Sequence, residues 1–161
     1  MMKQPKIGKD VFLASDCDVV GDVSIDDECA IFYHAVIRGD ENEITIGKKT
    51  NIQDNAVLHA SPGYPEYIGS GVTIGHGAIV HGAVIGDNTL IGMGAIVLNG
   101  AHIGRECLIG AGSLVTTHME IPDHMLVYGS PAKIIRPLRE EEISEIYHNC
   151  EVYQKLRKEY L

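Results

Sequence analysis

The sequence predicts an all-β solenoid, short parallel strands wound into triangular coils, followed by one C-terminal α-helix. Three observations predict it. Apolar residues recur every six positions, small or β-branched residues recur four places after most of them, and no stretch before residue 138 has room for helices between strands. A period of six matches neither a helix, near 3.6, nor a hairpin sheet, at 2. It matches a coil of three strands and three corners, one hexapeptide to each side.

The apolar anchors begin at Ile7, Leu13, Val19, Ile25, Ile31 and Ile37, and resume at Ile46, Ile52 and Leu58. They continue from Ile68 and Ile74 through Val80, Ile85, Ile91, Val97, Ile103, Ile109 and Val115 to Ile121. Val11, Cys17, Val23, Cys29, Ala35, Ala56, Ala78, Ala95 and Cys107 fill small slots four places on. Glycine often follows an anchor directly, as at Gly47, Gly69, Gly75 and Gly86, where a corner with positive φ would favour it.

Three steps break the period. Ile37 to Ile46 is nine residues and Leu58 to Ile68 is ten, so loops are expected to protrude at those corners. Ile74 to Ile85 is eleven where twelve is due, so one strand should be a residue short. Departures from a strict solenoid are where function tends to sit.

Beyond Ile121 the pattern gives way to IPDHMLVYGSPAKIIRPL, read as a proline-punctuated exit. In the helix that follows, Ile143, Ile146, Tyr147, Cys150, Tyr153 and Tyr160 form an apolar stripe opposite Glu, Lys and Arg. The expected organisation is a β-helix over 1–136 and a helix over 137–161 packed along it.

Composition excludes several partners. A chain of 161 residues suits one domain with a real core. A net charge of -9, from 13 basic against 22 acidic residues, argues against nucleic acid, which needs cations to neutralise phosphates. The N-terminal MMKQPKIGKDVF has no apolar leader, and no apolar run approaches the ~20 residues of a membrane helix. No membrane association and a cytoplasmic location are therefore expected. The four cysteines form no CxxC pair and are expected to be buried and reduced, not zinc thiolates.

The period does not account for the histidines. Every third anchor shares a face, so Leu58 and Val80 lie one coil apart. His59 and His81 each follow their anchor by one residue and should stack at about 4.8 Å, pointing outward. Ile37 shares that face and brings Arg38 into the column, while Val97 brings Asn99 close. His76 follows Ile74 and is assigned to the neighbouring face, with Gln53 and Asp54 one coil below. A threefold ring, with this first face against the next chain's second face, would join His59 and His81 to a neighbour's His76. Three imidazoles with an open fourth position form the ligand set of a catalytic zinc. The other five histidines show no such arrangement.

RGD at Arg38–Asp40, NIQDNAVLH at Asn51–His59, IGHGAIVHGAVIG at Ile74–Gly86 and the tail GSPAKIIRPL together resemble the γ-class carbonic anhydrases. The resemblance covers essentially the whole chain. It implies a left-handed parallel β-helix of hexapeptide repeats and a homotrimer with a metal at each subunit interface, held by His59, His76 and His81. It implies reversible hydration of CO2 to bicarbonate with Zn2+, although Fe2+ or Co2+ suits three imidazoles as well. It further implies an inter-subunit ion pair between Arg38 and Asp54, with Asp40 and Gln53 lining the site and Gln53 orienting the nucleophile or substrate. Asn99 and Tyr153 match positions near the pocket.

The chain departs from the fully active type in one place. Where that type has a longer acidic loop bearing a proton-shuttle glutamate, this one has only ASPGYPEY at 60–67. Glu66 lies there without an alignment to the shuttle, while Glu41 matches a glutamate after the RGD-like motif. Two other readings stand beside this one. A non-catalytic or weakly active metal-binding trimer would keep the histidines without turnover. A hexapeptide-type acyltransferase would need one general-base histidine and a coenzyme A groove. Glycine clusters such as GSGVTIG fall in the repeat register and read as corners, not phosphate cradles.

Overall fold

A computed structural model describes residues 3–161. The chain is a parallel β-solenoid, the left-handed β-helix of hexapeptide repeats, with one C-terminal helix. Three columns of anchors build it. Val19, Ile37, Leu58, Val80, Val97 and Val115 pair in parallel register up the first face. Leu13, Ile31, Ile52, Ile74, Ile91, Ile109 and Val127 do so up the second. Ile7, Ile25, Ile46, Ile68, Ile85, Ile103 and Ile121 form the third.

The columns meet on the solenoid axis, where Ile37, Ile52, Leu58, Ile74, Val80 and Val97 are wholly buried. Burying each such side chain contributes roughly 1.5–3 kcal/mol relative to exposure. A stack of isoleucines and valines thus makes a core in a chain with no tryptophan. Backbone bonds such as Val57 N–H to Ala78 O (2.9 Å) and Ile79 N–H to Ala95 O (2.8 Å) tie coil to coil.

The glycines after the anchors serve a different purpose from the expected one. At Gly75 an added Cβ would lie 2.7 Å from Ile91 O and 2.8 Å from Met93 N in the next coil. Glycine is needed there for close approach. The positive φ of that corner falls two residues later, at Gly77 (φ +65°).

The irregular steps also resolve differently. The nine-residue step is no separate loop: Val36–Ile46 is one continuous strand against Asp18–Ile25, bulged between the pairs Gly21–Gly39 and Val23–Ile44. The ten-residue step does form a turn, with Ser61 and Tyr64 bridging. The short step removes a residue from a corner, not from a strand. Three residues lie between Val80 and Val84, where four lie between their partners Val97 and His102.

The exit after Ile121 is more ordered than a proline-rich tail. Met125–Gly129 continues the second face, and Ala132–Pro137 folds back on it as an antiparallel partner. The helix then spans Glu140–Tyr160. Its start is fixed by Glu142, whose carboxylate accepts the Arg139 backbone N–H at 2.8 Å and both Arg136 guanidinium nitrogens at 2.8 and 2.7 Å.

The helix lies along the second face. At one end Tyr153 and Tyr160 pack against Phe12 and Phe32, and at the other Ile146 joins Leu126 and Leu138. The expected stripe omitted Arg157, which is 2% exposed and donates to Asp10 O. Of the cysteines, Cys29 and Cys107 are buried, while Cys17 and Cys150 are only partly covered, and all four are free thiols. Burial pushes the Cys29 thiol up to about 12, so it packs as a small apolar group. Among the described residues no helix is long and apolar enough to cross a membrane.

Candidate metal centre

Parallel pairing of Val57–His59 with Ile79–His81 stacks His81 directly on His59. Their ring centroids are 4.9 Å apart, and His59 Nδ1 stands 2.9 Å from His81 Nε2. The outer nitrogens are both tied to oxygens: His59 Nε2 to Asp40 Oδ1 at 3.1 Å, and His81 Nδ1 to Asn99 Oδ1 at 2.6 Å. Those oxygens accept, so the outer nitrogens carry the hydrogens. The two nitrogens that face each other are then both lone-pair acceptors. Two lone pairs turned into the same space are an arrangement that a shared metal ion would reconcile.

Asp40 reaches His59 because the bulge in Val36–Ile46 throws residues 40–43 outward and back over the column. It also accepts from Arg38 Nη1 at 2.5 Å. Desolvation raises its carboxyl, but the bonds from Arg38 and His59 outweigh this and hold it below the usual carboxylate range. Glu41 Oε2 lies 3.9 Å from His59 Nε2 and is half exposed. The His59 side chain is only 11% exposed.

His76 is elsewhere. It occupies the corner between the second and first faces, not the second face itself, and its Nδ1 is 2.8 Å from Asp54 Oδ2. Its backbone N–H donates to Gln53 Oε1 at 3.2 Å, and Gln53 Nε2 donates to Asn51 Oδ1 at 3.1 Å. Tyr153, carried by the helix, places its hydroxyl 3.2 Å from His76 Nε2. Desolvation and the Asp54 charge both raise the Tyr153 phenol, keeping it protonated.

Within one chain the predicted residues therefore fall into two groups. Arg38, Asp40, His59, His81 and Asn99 line one edge of the first face, while Gln53, Asp54, His76 and Tyr153 line the other. Among the described residues of the single chain, no three His, Cys, Asp or Glu side chains are grouped to hold a metal. His59 and His81 each have one nitrogen on an oxygen partner, the pattern that orients imidazole ligands and fixes their tautomers, whereas His76 has oxygens at both, Asp54 at Nδ1 and the Tyr153 hydroxyl at Nε2. Imidazole donors of this kind suit a divalent transition metal.

Sequence reasoning passed over Glu66 as a member of the site. Its carboxyl is fully buried, Oε2 accepts the Gly82 backbone N–H at 3.0 Å, and Oε1 has no partner. Burial pushes this carboxyl well above the usual range. One signal could have found it: two places before Ile68 is an inward position, in the row of Val23, Ile44, Ala83 and Ala101.

The repeat and the paired histidines define a hexapeptide-repeat protein with a column of stacked histidines. The family profile described as "Bacterial transferase hexapeptide (six repeats)" matches residues 82–117, and "Hexapeptide repeat of succinyl-transferase" matches 66–97. The "Probable carbonic anhydrase" of Methanocaldococcus jannaschii is 54% identical over 93% of this chain and 94% of its own. The "Carbonic anhydrase" of Geobacillus kaustophilus is 44% identical over 99% of this chain and 84% of its own. The crystal structure of a hexapeptide transferase family protein from Anaplasma phagocytophilum superimposes with a TM-score of 0.94 at 38% identity, covering 98% and 93% of the two chains. The chain belongs to the γ-class carbonic anhydrase family of hexapeptide-repeat proteins.

Proposed function

We propose that three copies of the chain close into a ring around their first faces, and that each junction holds a divalent metal for the reversible hydration of CO2 to bicarbonate. The face-to-face nitrogens of His59 and His81, each backed by an oxygen acceptor, carry this reading. In the ring His76 of a neighbouring copy completes the ligand set. Zn2+ is the metal the ligands suit, with Fe2+ or Co2+ compatible.

The faces support the ring. The helix covers the second, and the third presents Lys6, Ser24, Thr45, Tyr67, Val84, His102 and Glu120 outward, with Val84 its one aliphatic member. The first presents a column of Val36, Val57, Ile79, Ile96 and Leu114, with Ile79 38% exposed. A continuous apolar column on an uncovered sheet face marks a protein contact. With the helix on the second face, this reading replaces the packing of first face against second. The two edges of the first face meet instead, which gives a heterologous, closed interface. Arg38, 45% exposed on one edge, and Asp54, 34% exposed on the other, are then positioned to pair across it.

A bound divalent metal supplies the Lewis acidity that makes water a nucleophile at neutral pH. The chain's own residues do the rest. Asp40 and Asn99 hold the imidazoles in one tautomer. Gln53, 4% exposed and bonded at both ends of its amide, is a rigid polar group beside His76 for orienting the nucleophile or CO2. Tyr153 borders the same edge. Hydration releases a proton, and Glu41 is the half-exposed carboxylate at the rim that can pass it to solvent. Glu66, with no exposed surface, cannot.

Stopped-flow CO2 hydration on protein of known metal content, beside His81→Ala, tests the reading. Rates that scale with bound metal and vanish in the variant are expected. One metal per subunit without hydration would favour a non-catalytic trimer. Acetyl transfer from coenzyme A without metal would favour the acyltransferase reading.

A further inference from the structure

Among the described residues one carboxylate is enclosed in the solenoid interior, beside the histidine column. Val23, Ile44, Glu66, Ala83 and Ala101 occupy successive inward positions on the third face, two residues before each anchor. Glu66 is the only carboxylate of the row, and it is completely enclosed. Its side chain points at the corner that follows His81.

That corner is the one shortened by a residue. Gly82 turns it with φ +59°, and an added Cβ there would meet Asn99 Oδ1 at 2.6 Å and Tyr64 Cβ at 2.7 Å. The Gly82 N–H is shared between two acceptors: the His59 carbonyl at 2.9 Å and Glu66 Oε2 at 3.0 Å. One donor thus ties the backbone behind His59 to the backbone behind His81, and the glutamate closes the link from inside. The other oxygen, Oε1, is buried without a partner. An apolar residue would fill this position without that penalty.

Resting on the metal-site reading above, we propose that Glu66 is a positioning residue for the metal. By bracing the shared Gly82 N–H from within the core, it sets the separation and tilt of His59 and His81. It touches neither the metal nor the substrate.

The test is Co2+ binding to the full-length assembled protein, by titration and by the visible absorption of the bound ion. Each variant's melting temperature is measured in parallel. Glu66→Leu is expected to weaken Co2+ binding about tenfold, the lower end of what supporting partners of metal-binding histidines contribute. Its absorption envelope should shift, while its melting temperature should stay at or above wild type. Glu66→Gln keeps an accepting oxygen and should bind within about twofold of wild type. A core control, Ile44→Val, should lower the melting temperature and leave Co2+ affinity unchanged.

Wild-type affinity and absorption in Glu66→Leu would overturn the inference. So would an affinity loss that follows lowered stability and recurs in Ile44→Val, or a tenfold loss in Glu66→Gln. Wild-type protein that takes up no Co2+ would overturn the metal site itself, and this inference with it.

Discussion

His59 Nδ1 and His81 Nε2 face each other at 2.9 Å although the residues are 22 apart in sequence. A coil of three hexapeptides, lengthened by the ten-residue step from Leu58 to Ile68, produces that contact. Asp40 and Asn99 then leave the facing nitrogens as acceptors.

Asp40→Asn should weaken metal binding by about 10–100-fold, the usual cost of removing a carboxylate from a ligating histidine. Equilibrium competition with a chromophoric chelator measures it. Unchanged affinity would place Asp40 outside the metal's surroundings.

Ile79→Lys sets a charge in the middle of the apolar column on the first face. The ring should fall to single chains, since an unpaired charge cannot be enclosed there at tolerable cost. Sedimentation velocity gives the result. A variant that still sediments as a trimer would move the interface off this face.

The helix start should respond to acid. The paired bonds from Arg136, with the Arg139 N–H, hold the Glu142 carboxyl down at about 2, against an ordinary 4.5. The folded value is depressed, so its stabilising contribution is full above about 4.5 and is lost as pH falls towards about 2. Glu142→Gln should therefore melt below wild type at pH 7, with the gap closing between pH 4.5 and 2. A gap independent of pH would contradict this.

Phe32→Ala removes the ring between Tyr153 and the second face, where Phe32 is 4% exposed. It should destabilise the protein by about 3 kcal/mol, measured by denaturant unfolding. Loosening Tyr153 should also free His76 Nε2.

The columns were legible in the sequence because the period is local and every third anchor must stack. His59 over His81 followed by counting. The corners were less legible. A period of six does not say which residues turn, so His76 was assigned to a face when it sits on an edge, and the glycines after the anchors were given positive φ. The strand Ala132–Pro137 was missed because its antiparallel partner lies outside the repeat. Glu66 was hidden by the ten-residue step before it, which breaks the register that would have marked it as inward.

The central claim, a metal held between subunits, is tested most directly by mixing. His81→Ala and His76→Ala proteins, each inactive alone, are unfolded together at equal amounts, refolded with Zn2+, and assayed for bound zinc and CO2 hydration. Every mixed ring contains one junction with an intact histidine set, so random assembly should restore roughly a quarter of wild-type zinc and rate. No recovery from refolded mixed rings would contradict a site shared between chains.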